Sequence, residues 1–113
     1  MININFTPET LTLEIEGHAN HGKKGEDIVC AAISTLFYTL GEVLNCSLEM
    51  LENPPTFKDE DGKGILRCKP KEEYNANIVL SYRAILIGME LVASNYPKNV
   101  TFKVVEGRKP NFE

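Results

Sequence analysis

The stretch EGHANHGKKGEDIVCAAIS, residues 16–34, holds both histidines of the chain and one of its three cysteines. A thiol beside an imidazole is the minimum for a cysteine nucleophile: the ring takes the thiol proton, and the thiolate attacks an electrophilic carbonyl carbon. The pair needs hydrogen-bond reach, about 2.6 to 3.2 Å. His18 and Cys30 are separated by ANHGKKGEDIV, whose glycines and charges suit a loop that folds back on itself.

Asp27 is a good helix N-cap, which would make Ile28, Val29 and Cys30 the first three residues of a helix. Free N–H groups and the positive end of the macrodipole favour a thiolate there, and a nearby imidazolium favours it further. Glu26 and Asp27 act the other way through their negative charge, so protonated His18, or Lys23 and Lys24, would have to offset them. The same residues also have plainer uses. A cysteine in an apolar helix turn serves as a small buried hydrophobe, His21 suits a solvated loop, and Asp27 can cap the helix without orienting a base. A zinc site from His18, His21 and Cys30 lacks the usual ligand spacing. Neither GKKG nor GKG has the spacing of a phosphate loop.

The surrounding elements must position these groups. Ile2, Ile4 and Phe6 alternate with Asn3 and Asn5; TPET turns the chain; Leu11, Leu13 and Ile15 then alternate with Thr12, Glu14 and Glu16, the pattern of a half-buried hairpin. From Ile28, apolar residues recur at helical spacing through Leu36, Leu40, Leu44, Leu48 and Leu51, which predicts one helix running to Pro54 and Pro55. Asp61-Gly62 between two β-capable runs predicts a second hairpin. Residues 72–95 return to helical spacing, with Gly88 suited to close packing, and VTFKVVE supplies a last strand. The order ββαββαβ predicts an α+β domain: a mainly antiparallel sheet with two long helices packed against it.

With 113 residues, 42% hydrophobic and 25% charged, the chain reads as one globular domain over residues 1–113, with a frayed tail from about residue 107. A net charge of −4 supplies no general field for nucleic acid. Uninterrupted apolar runs fall short of the roughly 20 residues of a membrane span, and MININF lacks the basic and apolar regions of a signal peptide, so the expected location is the cytoplasm. Cys30, Cys46 and Cys68 are odd in number and widely spaced, which predicts free thiols rather than a disulfide framework. Cys46 and Cys68, among apolar neighbours on a helix and a strand, read as core or incidental thiols.

The segment GHANHGKKGEDIVCAAIS resembles the signature of the ribosomal-processing cysteine protease (Prp) family: Gly-His-Ala, a short glycine-bearing loop, Asp-Ile-Val-Cys-Ala and a nearby serine. The predicted layout agrees along nearly the whole chain. The resemblance implies an endopeptidase that removes a short N-terminal extension from a large-subunit ribosomal protein, number twenty-seven. It places the nucleophile on Cys30 and the base on His18, with Asp27 and Ser34 as further motif positions. The family's mobile loop falls on Ala19, Asn20, His21, Gly22, Lys23, Lys24, Gly25 and Glu26. It also implies a homodimer; from charge, hydropathy and ligand spacing, no direct nucleic-acid partner, no membrane and no metal or other cofactor are expected. Relatives linked to phages extend the same chemistry to capsid or scaffold proteins. A non-catalytic dimeric module that binds a ribosomal protein is the reading from another class.

Overall fold

The computed structural model describes residues 1–17 and 24–105, with backbone alone for 24–27. Five strands form one mixed sheet: β1 (Ile2–Thr7), β2 (Thr12–Glu16), β3 (Thr56–Glu60), β4 (Lys63–Arg67) and β5 (Val100–Val104). Their order across the sheet is β3-β4-β2-β1-β5. Every neighbouring pair is antiparallel except β1 and β5. The exception follows from direction. β4 runs parallel to β1, because both are antiparallel to β2, and the return of helix α2 (Asn75–Asn95) then delivers β5 in the same sense.

Strand alternation sorts the side chains by face. Ile2, Ile4, Phe6, Leu13, Leu66 and Val100 are buried on the face that carries both helices, α1 (Lys24–Asn45) and α2. Asn3, Glu14, Lys58, Lys63 and Lys103 lie on the opposite, open face, as period two requires. Val29, Ile33, Phe37, Leu40 and Leu44 of α1 meet Ile78, Tyr82, Ile85 and Met89 of α2 in one core with the sheet. Gly88 lets the two helices approach: a Cβ there would stand 3.0 Å from Leu36 Cδ2. The expected close packing is therefore present.

The hairpin turns differ in kind. Asp61 and Gly62 have φ of 52° and 73° and form a two-residue connection between β3 and β4. That turn has positive φ at both central residues and matches the twist of its flanking strands. The β1–β2 connection is longer, and Leu11 enters β2 from a left-handed φ of 51°.

Both ends of α1 depart from the sequence expectation. The backbone is already helical at Lys24, so Asp27 is not the N-cap and Cys30 belongs to the second turn. Nothing in KGED bars helical geometry: Gly25 weakens a helix by only about 1 kcal/mol, and Glu26 and Asp27 stand in the first turn, where the macrodipole favours negative charge. The C-terminal part of the expected loop, Lys24, Gly25 and Glu26, is therefore helix backbone. At the other end α1 stops at Asn45 and gives way to a 3-10 turn, Leu48–Met50. Leu51 then leaves in an extended conformation, pairs with Pro70 and is buried. Glu52 N–H donates to the Lys69 carbonyl and Lys71 N–H to that of Met50, both at 2.8 Å. This non-local pairing takes Leu51 into the core, so its helical spacing with Leu44 is not a continuation of the helix.

Both helices are long and apolar enough by composition to cross a membrane, with a mean hydropathy of 1.5 over Ile28–Asn45 and over Glu72–Asn95. Uninterrupted runs alone understate that content. The core helices of water-soluble folds have the same character, and here each helix packs one face on the sheet and its neighbour. The outer face of α2 leaves Leu80, Ile87 and Leu91 exposed.

Candidate active site

Cys30 lies where one end of the sheet meets α1. It is partly buried beside Val29 and Ile33, which are core residues, and it is a free thiol. It lines a cleft of about 220 Å³ with Ile2, Ile15, Gly17, Ile33, Ser34, Asp59, Gly62 and Gly64. Ser34 follows Cys30 by one helical turn and so occupies the same face of α1.

The strand side of the cleft is built around glycine. Gly17 N–H donates to the Gly62 carbonyl at 2.9 Å, tying the end of β2 to the β3–β4 turn. Its φ of 107° is a conformation that other residues rarely adopt, and a Cβ there would collide with the Met1 carbonyl oxygen. Gly64 is equally confined: an added Cβ would stand 2.9 Å from Phe37 Cζ. The residue that follows Gly17 is His18. His18, Ala19, Asn20, His21, Gly22 and Lys23 lie outside the described residues, as does the Asp27 side chain.

Asp59 is a component the sequence reading missed. It reaches the cleft from β3 and accepts a hydrogen bond from the Tyr38 hydroxyl on α1. That hydrogen bond to the carboxylate pushes the Tyr38 hydroxyl above its ordinary pKa, with burial and the carboxylate charge acting in the same direction. Tyr38 is held in turn by Phe57, whose ring packs edge-on at 5.4 Å between centroids. No local motif marks Asp59, because β-pairing brings it beside α1. The one available sequence signal was its position two residues before the Asp61-Gly62 turn, on the same strand face as Phe57.

Cys30 sits one turn beyond the free amides at the start of α1. The amides left free by helix geometry are those of the first turn, whereas the Cys30 amide, in the second, is in position for the intrahelical ladder. Influence from the macrodipole falls off within that first turn, so Cys30 gains less from it than a third helical residue would.

The other cysteines occupy different surroundings. Cys46 is exposed, just beyond α1, with its thiol 3.7 Å from Glu42 Oε2; it is not a core residue. Cys68, just after β4, is buried and receives a long hydrogen bond, 3.7 Å, from the Tyr82 hydroxyl. Burial pushes the Cys68 thiol up, against a smaller opposing effect of that hydrogen bond, and burial also pushes Tyr82 far up. A larger cavity of about 640 Å³ opens near Cys68, between the β1–β2 turn and the start of α2.

Comparison with known proteins identifies what this arrangement is similar to. A family model described as cysteine protease Prp matches residues 1–101. The ribosomal processing cysteine protease Prp of Staphylococcus aureus is 25% identical over 99 residues, covering 88% of this chain and 91% of the relative. A crystal structure of the S. aureus ribosomal processing protease Prp with a covalently linked product peptide is similar in fold, with a TM-score of 0.69 and 22% identity. The match covers 93% of this chain and 100% of that one. A Streptococcus mutans crystal structure has the same TM-score, 0.69, and 28% identity, over 94% of this chain and 93% of that one. The five-stranded mixed sheet and two helices in the order ββαββαβ are the fold shared with the S. aureus protease.

Proposed function

The chain belongs to the Prp family of cysteine proteases, and from that premise we propose that it is a ribosomal-processing endopeptidase with Cys30 as nucleophile and His18 as base. The observation that carries this reading is the shared cleft of Cys30 and Gly17, because the residue bonded to Gly17 is His18. The S. aureus relative is a ribosomal processing protease by name, and a structure of that protease holds a substrate peptide. The substrate proposed here is a precursor of large-subunit ribosomal protein twenty-seven, cut at the end of an apolar, phenylalanine-bearing N-terminal extension.

In this mechanism the His18 ring takes the proton of the Cys30 thiol, and the sulfur attacks the scissile carbonyl carbon. The tetrahedral intermediate collapses as His18 returns that proton to the leaving amine, which departs and leaves a thioester on Cys30. Water, deprotonated by His18, then hydrolyses the thioester and regenerates the thiol. The free amides of the first turn of α1 are one class of donor available for the developing oxyanion. Asp27, placed in that turn, has an orienting role toward His18 open to it but no capping role.

Homodimerisation belongs to the same reading. Leu80, Ala84, Ile87 and Leu91 recur at four-, three- and four-residue spacing on the outer face of α2, and all are exposed. Such a stripe is a helix surface that a second copy would bury. Light scattering on the protein and on Ile87→Glu is expected to give dimer and monomer masses respectively; equal masses would reject this face.

Mass spectrometry of the extended ribosomal precursor tests the chemistry. Incubation with the protein is expected to give one cut at the end of the extension, and Cys30→Ala and His18→Ala are each expected to give none. Full cleavage by both variants would end the Cys-His assignment. Intact precursor with every form would turn the search to phage capsid or scaffold precursors and to the binding-module reading.

A further inference from the structure

Among the described residues lining the Cys30 cleft, Asp59 alone bears a fixed charge; its companions there are aliphatic residues, glycines, Ser34 and Cys30 itself. Its cross-strand partner is Gly64, so no side chain opposes it on β4. The Tyr38 hydroxyl engages Oδ2 from the helix side, and the aromatic contact with Phe57 fixes the Tyr38 ring. The remaining oxygen, Oδ1, belongs to an exposed residue at the cleft wall. A carboxylate whose direction is already set loses less freedom when it pairs with a cation, although an exposed pair is screened by solvent and its gain is modest.

Ser34 extends this surface. It also lines an open groove along α1 with Thr35, Tyr38, Thr39 and Glu42. A peptide lying from the cleft into that groove would pass the Tyr38–Asp59 pair. The only fixed charges lining the two depressions are Asp59 and Glu42, among the described residues, and the chain as a whole carries −4. The charge of the described lining and the net charge of the chain therefore both favour a basic peptide and disfavour an acidic one.

We propose that Asp59, held by the Tyr38 hydroxyl, is a specificity-determining residue that selects peptides with a lysine or arginine close to the scissile bond. This inference rests on the protease reading and adds a substrate class to it. The pair forms between the substrate ammonium or guanidinium group and the Asp59 carboxylate, while the apolar part of the peptide occupies the remainder of the cleft.

The test separates recognition from chemistry. Fluorescein-labelled decapeptides with a central phenylalanine among apolar residues carry one lysine, moved through the other positions, with glutamine or glutamate at the same position as controls. Binding is measured by fluorescence anisotropy on Cys30→Ala, which leaves the peptides uncut. At one position near the centre, lysine is expected to tighten binding about three- to tenfold over glutamine. Asp59→Asn in that background should remove the difference, and Asp59→Lys should invert it in favour of the glutamate peptide. Equal binding of lysine and glutamine peptides, no binding of any peptide, or a lysine preference that survives Asp59→Asn would each overturn the proposal. If Asp59→Asn binds nothing at all, Asp59→Glu decides: a lysine preference there upholds it, and none overturns it. Cleavage of the same peptides by protein with Cys30 intact is read separately. Selective binding without cleavage would uphold the selectivity of Asp59 and leave the protease reading to be decided by the precursor assay.

Discussion

Cys30 and Cys68 flank the same sheet, and what surrounds each sulfur is opposite in character. Cys68 is buried, receives the hydrogen bond of an equally buried tyrosine and has its thiol form favoured by burial. Cys30 is only partly buried and opens on a cleft lined by glycines and by the Asp59 carboxylate, with a histidine next in the chain to one of its walls. The larger cavity lies near Cys68. If the proposed assignment to Cys30 holds, volume does not mark the reacting sulfur; access to it and convergence of polar groups on it do.

The strongest challenge to this contrast is to exchange the roles by mutation. Cys30→Ala is expected to lower the rate of precursor cleavage by about 10³-fold or more, whereas Cys68→Ala should leave the rate per folded molecule within a few fold. Comparable losses in a steady-state assay would mean that the two sites had been told apart wrongly.

Gly17→Ala tests the wall of the cleft. It combines a positive φ with a collision against the Met1 carbonyl oxygen, and a cost of about 2 kcal/mol or more is expected. Chemical denaturation would measure it, and an unchanged midpoint would show that the end of β2 adjusts freely.

Alkylation sharpens the same comparison without mutation. Iodoacetamide labelling at neutral pH, followed by peptide mass spectrometry, should modify Cys30 faster than exposed Cys46 and leave Cys68 unmodified until the protein unfolds. Cys30 reacting more slowly than Cys46 would count against its role as nucleophile.

The smallest expected effect concerns stability. Cys68→Ala should cost about 1 to 2 kcal/mol, since it leaves a small void and deprives the buried Tyr82 hydroxyl of its partner. The folded state holds both Cys68 and Tyr82 protonated beyond their ordinary values, 9.0 and 10.0. The unfolded chain therefore releases these protons first as pH rises. The stabilisation is complete below about pH 9 and declines through the alkaline range above it. Urea midpoints between pH 8 and 11 should fall for the native protein and fall less for Cys68→Ala; parallel curves would remove Cys68 from the account.

Much of the architecture was legible because its signals are local. Alternation in β1, the paired positive-φ residues Asp61 and Gly62, and the helical spacing of Ile78, Tyr82, Ile85 and Met89 each act over a few residues. The errors lie where non-local pairing competes with local pattern. Leu51 continues the spacing of α1 yet pairs with Pro70, and Asp27 resembles a cap yet follows three helical residues. The candidate site divides in the same way: the His18, Cys30 and Ser34 positions could be chosen from one segment, whereas Tyr38 and Asp59 could not.

By itself the sequence determined the kinds of element, their order, the reactive residue types and the signature that relates them to a cysteine protease family. All of these depend on neighbouring residues and on side-chain chemistry. Only the tertiary structure decided that β5 lies parallel to β1, that Cys30 sits in the second turn of α1, and that Asp59 lines the same cleft. The reason is physical: strand pairing and core burial bring together residues far apart in the chain, and no local propensity records which partners they will meet.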